Sequence, residues 1–316
     1  MDSLFDQKRL LYKIARDYYD NQLTQNEIAK RFGLSRIKVS RLLRVARENN
    51  IVTITLNAPD SLTAEREEAL EQKYGLEEVR IVYCEESADQ KHIVRELAPA
   101  AAEILLRRID PQSIVGVTWG NTILALVEAL PLTPMPGLKI VQLNGDLSPI
   151  VRLENSAELS RQLAHKLSAE LHLLSAPGLA KTKEAANFFK NDTLIEETLA
   201  LAAKADVAVL GIGMLEKNSK LLLQNGLLSQ ADIQELDKNN AVGDIALRYI
   251  NAQGKPVRLS LDERVVGLTF KELVHIPCVI AVAGGDEKHD VIHAALQSKM
   301  LNVLITDHLT AEYLLE

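Results

Sequence analysis

Short apolar segments alternate with helical segments over most of this chain, and this alternation limits the possible folds more than any other feature. From Val79 onward, seven apolar runs predict strands at residues 79–83, 114–118, 139–143, 171–174, 207–212, 278–283 and 303–306. Helical stretches are predicted between them at residues 92–108, 122–130, 156–169 and 194–205. Such alternation is typical of a doubly wound α/β domain, with a mostly parallel sheet and helices on both faces.

Small, glycine-containing turns follow five of the predicted strands. They read TWGNT (118–122), QLNGD (142–146), SAPG (175–178), GIG (211–213) and AGGDEK (283–288). Ligands in open parallel sheets bind at the carboxyl ends of the strands, so we expect these turns to gather around a pocket.

Two of these turns have features of an anion site. In TWGNT, Gly120, Asn121 and Thr122 stand between a strand and a helix, where backbone amides can hold a phosphate. A tight turn with an ordinary N-cap explains the same residues equally well. AGGDEK adds Lys288, a cation that suits phosphate. The chain has neither a Walker A sequence nor a complete GxGxxG, so no nucleotide cofactor is predicted.

The amino-terminal stretch LTQNEIAKRFGLSRIKVSRLLR, residues 23–44, predicts a helix-turn-helix. Thr24 and Ser35 can cap its two helices, and Gly33 stands where a positive φ is usually required between them. Val39 and Leu43 belong to the inward face of the second helix. The outward residues are the predicted DNA contacts: Ser35, Arg36, Ile37, Lys38, Ser40, Arg41 and Arg44.

Charge favours nucleic acid over an ordinary solvated helical pair at this end of the chain. Residues 1–57 contain eleven Lys and Arg against six Asp and Glu, a balance of +5, whereas the whole chain has a net charge of −7. An acidic protein with one basic module is expected when only that module meets DNA. Double-stranded operator DNA is therefore the predicted partner.

Changes of periodicity suggest two domains. A further helix at residues 7–20 would complete a three-helix module, and residues 51–56 alternate like a short strand that could form a wing. The break at residues 57–61 predicts a winged helix-turn-helix domain over residues 1–57 and an α/β domain for effector binding and oligomerisation over residues 58–316. A helix at residues 62–74 would connect them.

Other features limit the class of protein. No membrane span or signal peptide is predicted, which favours a cytoplasmic protein. Cys84 and Cys278 are far apart and lack metal-ligand spacing, so they are predicted to be buried thiols, and no metal site is expected. His165, His172 and His275 could serve as acid or base, but none has a telling carboxylate partner, so no catalytic residue is predicted.

Several blocks, in this order, resemble the SorC-type bacterial transcriptional regulators. They are the helix-turn-helix, IVGVTWGNT, AVGDI (241–245), VAVLGIG, AVAGGDEK and NVLITD, and the resemblance spans essentially the whole chain. It implies a sugar-binding domain related in fold to sugar-phosphate isomerases and deaminases. It also implies a phosphorylated sugar or related metabolite as effector, and a homodimer or homotetramer. The matching positions suggest phosphate at Gly120, Asn121, Thr122, Gly284, Gly285 and Lys288, and sugar hydroxyls near Gln142, Asn144 and Asp244.

Alternatives remain at this point. Asp244, which we place at the start of a predicted helix, could be a simple N-cap instead of a sugar ligand. The large domain could be an active sugar-phosphate isomerase or deaminase, which would need a poised acid and base. It could also serve assembly alone, with glycines that are purely structural.

Overall fold

The chain divides into two units, residues 1–61 and residues 62–316. The structure is a computed structural model that describes residues 2–53, 61–85, 88–147, 156–215, 222–224, 226–257 and 259–316. None of the helices in these ranges is long and apolar enough to cross a membrane.

The first unit contains three helices, α1 (Asp2–Tyr19), α2 (Gln25–Phe32) and α3 (Arg36–Glu48). Ile14, Ile28 and Val39, one from each helix, are fully buried in a common apolar cluster. The three helices therefore enclose a small core of their own.

The turn between α2 and α3 has the predicted local chemistry. Thr24 and Glu27 form a reciprocal capping box at the start of α2, and Gly33 ends the helix with a φ of 65°. The Ser35 hydroxyl caps α3 by accepting a hydrogen bond from the Lys38 amide. The predicted wing does not begin as a strand, because residues 51–53 have no strand pairing, and residues 54–56 lie outside the described residues.

Seven parallel strands form the central sheet of the second unit. They are β1 (Glu78–Val82), β2 (Ile114–Val117), β3 (Lys139–Gln142), β4 (Glu170–His172), β5 (Val207–Gly211), β9 (Cys278–Val282) and β10 (Val303–Asp307). Their order is β1-β10-β9-β5-β2-β3-β4. From the adjacent pair β2 and β5 the connections run outwards in opposite directions, so a crevice is expected at the carboxyl ends of these two strands.

Helices cover both faces of this sheet. The helices of the second unit in the described residues are α4 (Ser61–Tyr74), α5 (Gln90–Arg108), α6 (Asn121–Ala129), α7 (Ser156–Leu167), α8 (Lys183–Lys190), α9 (Thr193–Ala202), α10 (Gln230–Lys238), α11 (Phe270–Val274), α12 (His289–Gln297) and α13 (His308–Leu315). Alternate strand residues enter different apolar clusters: Ala208 and Leu210 pack with α12 and α13, while Val207 and Val209 pack with α5 and α6. The predicted doubly wound α/β architecture is confirmed.

A second, antiparallel sheet was not predicted. It contains β6 (Gly213–Met214), β7 (Ala241–Ile245) and β8 (Arg248–Asn251). Ala246 and Leu247, with φ of 51° and 65°, form the tight turn between β7 and β8. Positive φ at both central residues suits a two-residue hairpin turn, but glycine or asparagine usually occupies these positions, so Ala246 and Leu247 carry no turn signal.

Candidate functional site

The outward face of α3 is basic and exposed. Arg36, Lys38, Ser40, Arg41 and Arg44 are all exposed, whereas the opposite face contributes Val39, Leu43 and Ala46 to the core. The exposed Ser35 hydroxyl remains at the start of the helix as its cap. The structure therefore brings all seven predicted DNA contacts to one exposed end and face of α3, including Ile37.

Few of these cations are neutralised within the protein. Arg44 lies 3.6 Å from Glu48, one turn later, and both side chains are exposed, which makes this a weak pair. In the part of the chain that the structure describes, Arg36 and Arg41 have no ion pair within 4.0 Å. Arg31 differs, since it is bound by the buried carboxylate of Asp17 at 2.9 Å. The α3 surface therefore remains available to phosphates and base edges.

A cavity of about 300 Å³ lies at the carboxyl ends of β2 and β5 in the second unit. Four of the five predicted glycine turns contribute to its wall, together with residues of the β7–β8 hairpin. The SAPG turn does not, because it pairs with the neighbouring QLNGD turn, where the Gly178 amide donates to the Asp146 carbonyl at 2.9 Å. Six predicted effector contacts line the cavity: Gly120, Asn121, Thr122, Asn144, Asp244 and Lys288.

The amino terminus of α6 opens into this cavity. Gly120 is its N-cap, with a φ of 123°, and within the described ranges no side-chain cap hydrogen bond is present at the start of this nine-residue helix. A Cβ atom on Gly120 would meet nothing within 4 Å, so a ligand can approach the backbone closely. Uncapped amides and the helix dipole together favour an anion at this point.

Lys288 belongs to the short 3-10 helix Asp286–Lys288 that follows β9. Its Nζ donates a hydrogen bond of 2.9 Å to the Ile212 carbonyl, at the end of β5. This bond holds the ammonium at the cavity wall. Glu287 lines the same wall, so the local charge is mixed.

Asp244 does not begin a helix, as the sequence predicted, but lies in strand β7. The sequence AVGDIALRYI folds as the β7–β8 hairpin, and the Asp244 Oδ2 accepts a hydrogen bond of 3.0 Å from the Leu247 amide in its turn. The carboxylate is buried and lines the cavity. The helix assignment was wrong because cross-strand pairing overrides local propensity here.

Asn144 has an unused acceptor. Its side chain is 2% exposed, and its buried Oδ1 has no hydrogen-bond partner in the described structure. Leaving a buried carbonyl oxygen without a donor costs about 1–3 kcal/mol. Because Asn144 lines the cavity, a ligand hydroxyl could supply the missing donor.

Three predicted effector residues do not line the cavity. Gln142 is only 4% exposed and is engaged inside the fold, where its side chain bonds Ser160 at 3.2 Å and the Leu174 amide at 2.9 Å. Gly285 directs its amide to Asp307 Oδ2 at 2.7 Å. A Cβ atom on Gly284 would lie 2.3 Å from the same carboxylate oxygen, so this glycine permits close packing against Asp307.

Other residues of the cavity wall were missed by the sequence analysis. Trp119 lies within the TWGNT turn, and its indole N–H donates to the Gly145 carbonyl at 3.1 Å. Gln90 stands at the start of α5 and donates to the Gly284 carbonyl at 3.1 Å. The remaining missed wall residues are Val94, Thr118, Leu147, Gly211, Ile212, Gly213, Met214, Leu222, Ala246, Leu247 and Glu287. The strand-end turns were a signal for Trp119 and Ile212, whereas the hairpin residues had none.

The histidines and cysteines are not part of the cavity wall that the structure describes. His165 and His275 are exposed, and His172 is half-buried. Cys84 and Cys278 are free and half-buried, not fully buried as predicted. Burial, reinforced by Asp307, raises the pKa of the Cys84 thiol to about 11, so it is protonated at neutral pH. Among the described residues, no cluster of three or more His, Cys, Asp or Glu side chains could hold a metal ion.

Comparison with known proteins decides the family. Residues 59–316 match the sugar-binding domain family, Sugar-bind. The chain belongs to this family. Its similarity to named regulators extends over the helix-turn-helix as well, so the resemblance to SorC-type transcriptional regulators is confirmed.

Three relatives show the extent of the family likeness. The chain is 29% identical to the transcriptional regulator LsrR of Enterobacter sp. (strain 638), over 98% of this chain and 93% of that protein. It is 30% identical to the deoxyribonucleoside regulator of Bacillus subtilis (strain 168), over 98% of both. The crystal structure of the full-length sorbitol operon regulator SorC from Klebsiella pneumoniae superposes with a TM-score of 0.74 at 28% identity, covering 98% of this chain and 100% of that one.

Proposed function

We propose that this protein is a DNA-binding transcriptional regulator whose affinity for a double-stranded operator is changed by a phosphorylated sugar or related metabolite. One observation carries the proposal. The chain has an exposed, basic α3, and it also has a cavity whose wall includes the amino terminus of α6, Lys288 and the Asn144 Oδ1, which has no hydrogen-bond partner among the described residues. The family membership and the names of the relatives support the same function.

The proposed DNA contacts have separate roles. Arg36 and Arg41 are exposed on α3 and can each form two hydrogen bonds to a guanine edge in the major groove. Ser35, Lys38, Ser40 and Arg44 are at the same surface and suit phosphate oxygens. Specificity would then depend on the two arginines, and general affinity on the other polar contacts.

The proposed effector contacts also divide by chemistry. Phosphate would bind the amides at Gly120, Asn121 and Thr122 together with Lys288, because this group combines a helix amino terminus with a cation. Sugar hydroxyls would donate to Asn144 and Asp244, which line the same cavity. Gln142, Gly284 and Gly285 would act indirectly, through the packing and hydrogen bonds described above.

We propose binding without catalysis for this cavity. The described lining residues include carboxylates and a lysine but no histidine, so the usual acid-base side chain for neutral pH is not among them. The named relatives are transcriptional regulators. Incubation of the protein with each sugar phosphate that binds it should leave the NMR spectrum of that compound unchanged; formation of a product would favour the isomerase or deaminase alternative.

A thermal-shift panel followed by operator titration tests the function. Each sugar phosphate is compared with the same sugar without phosphate and with inorganic phosphate alone. A ligand at a hundred times its Kd should stabilise the folded protein by about 2.7 kcal/mol. That ligand should then change operator affinity by about 5- to 150-fold, the usual range of allosteric coupling.

Variants separate the two halves of the proposal. Arg36→Ala and Arg41→Ala should each lose about 1–3 kcal/mol of binding free energy, through the base contact at one operator position. Lys38→Ala should weaken binding to all sequences and make the affinity less dependent on salt concentration. Equal, sequence-independent losses for all three would contradict base reading by the arginines. If no phosphorylated metabolite changes operator binding, the assembly-only alternative replaces the effector model.

A further inference from the structure

An exposed isoleucine lies on the basic surface of α3, near the amino terminus of the helix. Ile37 is the second residue of the helix, and its side chain is 68% exposed. The other described apolar residues of this helix are buried or half-buried: Val39, Leu42, Leu43, Val45 and Ala46. A single exposed apolar side chain is common on protein surfaces, so its surroundings decide whether it has a partner.

The surroundings of Ile37 are polar and cationic. Ala46 lies nine residues further along α3, about two and a half helical turns, so Ile37 lies opposite the buried face. Ser40, Arg41 and Arg44 follow it at three-, four- and seven-residue spacing and therefore share its face. This face therefore has one apolar side chain near the amino terminus of the helix, and the cationic side chains of Arg41 and Arg44 follow it along the helix.

This combination suits the major groove better than an apolar protein surface. An apolar partner would have to desolvate Arg41 and the neighbouring Arg36 without neutralising them, which is costly. DNA offers phosphates to the cations and, in the major groove, one apolar group on a standard base, the C5-methyl of thymine. The amino-terminal residues of a recognition helix are the ones that reach base edges.

We infer that Ile37 contacts a thymine methyl group, so that each operator half-site contains a thymine opposite the amino-terminal turn of α3. This inference rests on the proposed function. It assigns Ile37 a role different from that of its neighbours, because it makes no hydrogen bond and discriminates by apolar contact alone. Cytosine at the same position would present an amino group and no methyl group to this side chain.

Single replacement of thymine by deoxyuridine tests the contact, since it removes only the methyl group. The full-length protein is titrated by fluorescence anisotropy with an operator and with copies in which each thymine of the footprint is replaced in turn. We expect one replacement per half-site to weaken binding about four-fold, the effect of one lost buried methyl group. Ile37→Ala should weaken binding to the unmodified operator and be insensitive to that replacement.

Two variants serve as controls. Ile37→Val keeps a shorter apolar side chain. Replacement of the contacted thymine by deoxyuridine should therefore still weaken its operator binding, but by less than in the parent. Tyr12→Ala removes a side chain from α1 that is 53% exposed. Its affinity for the unmodified operator and its loss of affinity on each deoxyuridine replacement should equal those of the parent. Ile37→Ala should fold normally, because the side chain is exposed and alanine favours helix; circular dichroism checks this.

The outcomes are distinguishable. If the parent binds its operator but tolerates deoxyuridine at every thymine, or if Ile37→Ala keeps the full penalty, the thymine contact is overturned while DNA binding stands. If the parent binds no DNA sequence specifically, the proposed function fails, and the thymine contact fails with it.

Discussion

Lys288 and Ile212 connect two strand ends at the cavity wall: the Lys288 Nζ donates a hydrogen bond of 2.9 Å to the Ile212 carbonyl. The lysine follows β9 and the carbonyl follows β5, and these strands are neighbours in the sheet. The backbone of one strand end therefore positions the cation of the other. The ammonium has three N–H donors, and the bond to Ile212 uses one of them.

Lys288→Ala should weaken binding of a phosphorylated effector by about 1.5–3 kcal/mol, the value of a charge-assisted hydrogen bond. Operator affinity without effector should stay as in the parent, because Lys288 lies in the second unit. Thermal shift and operator titration measure the two effects. Lys204→Ala, an exposed lysine outside the cavity wall, is the matched control. An unchanged effector response in Lys288→Ala would remove this residue from the site.

Asn144→Ala should separate stability from binding. It removes an Oδ1 that has no hydrogen-bond partner in the described part of the chain, so the unliganded protein should lose little stability, within about 1 kcal/mol. The effector should bind about 1–3 kcal/mol more weakly, because its hydroxyl loses the acceptor. Urea denaturation with and without effector measures both quantities. A large loss of stability with an undiminished effector shift would assign Asn144 to the fold alone.

Gly243→Ala should destabilise the hairpin that carries Asp244. A Cβ atom at Gly243 would lie 2.2 Å from Val291 Cγ2 on α12 and 2.3 Å from the Gly213 carbonyl oxygen. Overpacking of this kind costs about 1–3 kcal/mol, and thermal denaturation measures it. The second substitution Val291→Ala should restore only part of the lost stability, because the Gly213 carbonyl oxygen still contacts the added Cβ atom. Full restoration would show that the contact with this carbonyl does not destabilise the protein.

The ionised carboxylate of Glu67 should destabilise the folded protein at neutral pH. It accepts a hydrogen bond of 2.8 Å from the Ile81 amide on edge strand β1, but burial outweighs this bond and raises the pKa of the Glu67 carboxyl. A raised folded-state pKa contributes stability below the ordinary value of 4.5, which is lost as the pH rises through the folded-state pKa. Glu67→Gln keeps an acceptor without the charge. It should be more stable than the parent at pH 7, with a difference that shrinks towards pH 4.5.

Glu78 provides a control, because the pKa of its carboxyl is shifted in the direction opposite to that of Glu67. Burial alone would raise the pKa of its carboxyl, but hydrogen bonds from Arg108 and Arg107 outweigh burial and lower it. Its contribution to stability is therefore present above 4.5 and lost as the pH falls through the lowered folded-state pKa. Glu78→Gln should destabilise at pH 7. Denaturation curves at pH 7 and pH 4.5 give the stability of each variant relative to the parent. If the two substitutions both stabilised or both destabilised the protein at pH 7, these pKa assignments would be contradicted.

The protein should be at least a dimer when it binds its operator. One recognition helix covers about half of a typical site, so two copies of α3 are expected on half-sites one helical turn, or a multiple of it, apart. Light scattering at micromolar protein concentration, with and without operator, measures the state. A monomer under both conditions would rule out this arrangement, while a dimer or tetramer is consistent with it.

Local signals in the sequence were sufficient for the helix-turn-helix of the first unit, but not for the predicted wing. Thr24, Gly33 and Ser35 act through atoms only a few residues away, so their capping roles follow from sequence order. The same holds for the parallel strands, whose continuous apolar runs reflect burial on both faces. The strand-end turns could therefore be assigned to one edge of the sheet before their distances were known.

The sequence by itself determined that strand ends gather at one edge of the sheet, but not which turns, or which of their side chains, reach the cavity. Asn144 lines it, whereas Gln142, two residues earlier, satisfies groups on α7 and the backbone after β4. Asp244 reaches the wall because β7 pairs with β6 and β8, and this pairing overrides a helix-like local pattern. Only the tertiary structure decides such choices, because each depends on hydrogen-bond partners distant in sequence, whereas caps and apolar periodicity depend on near neighbours.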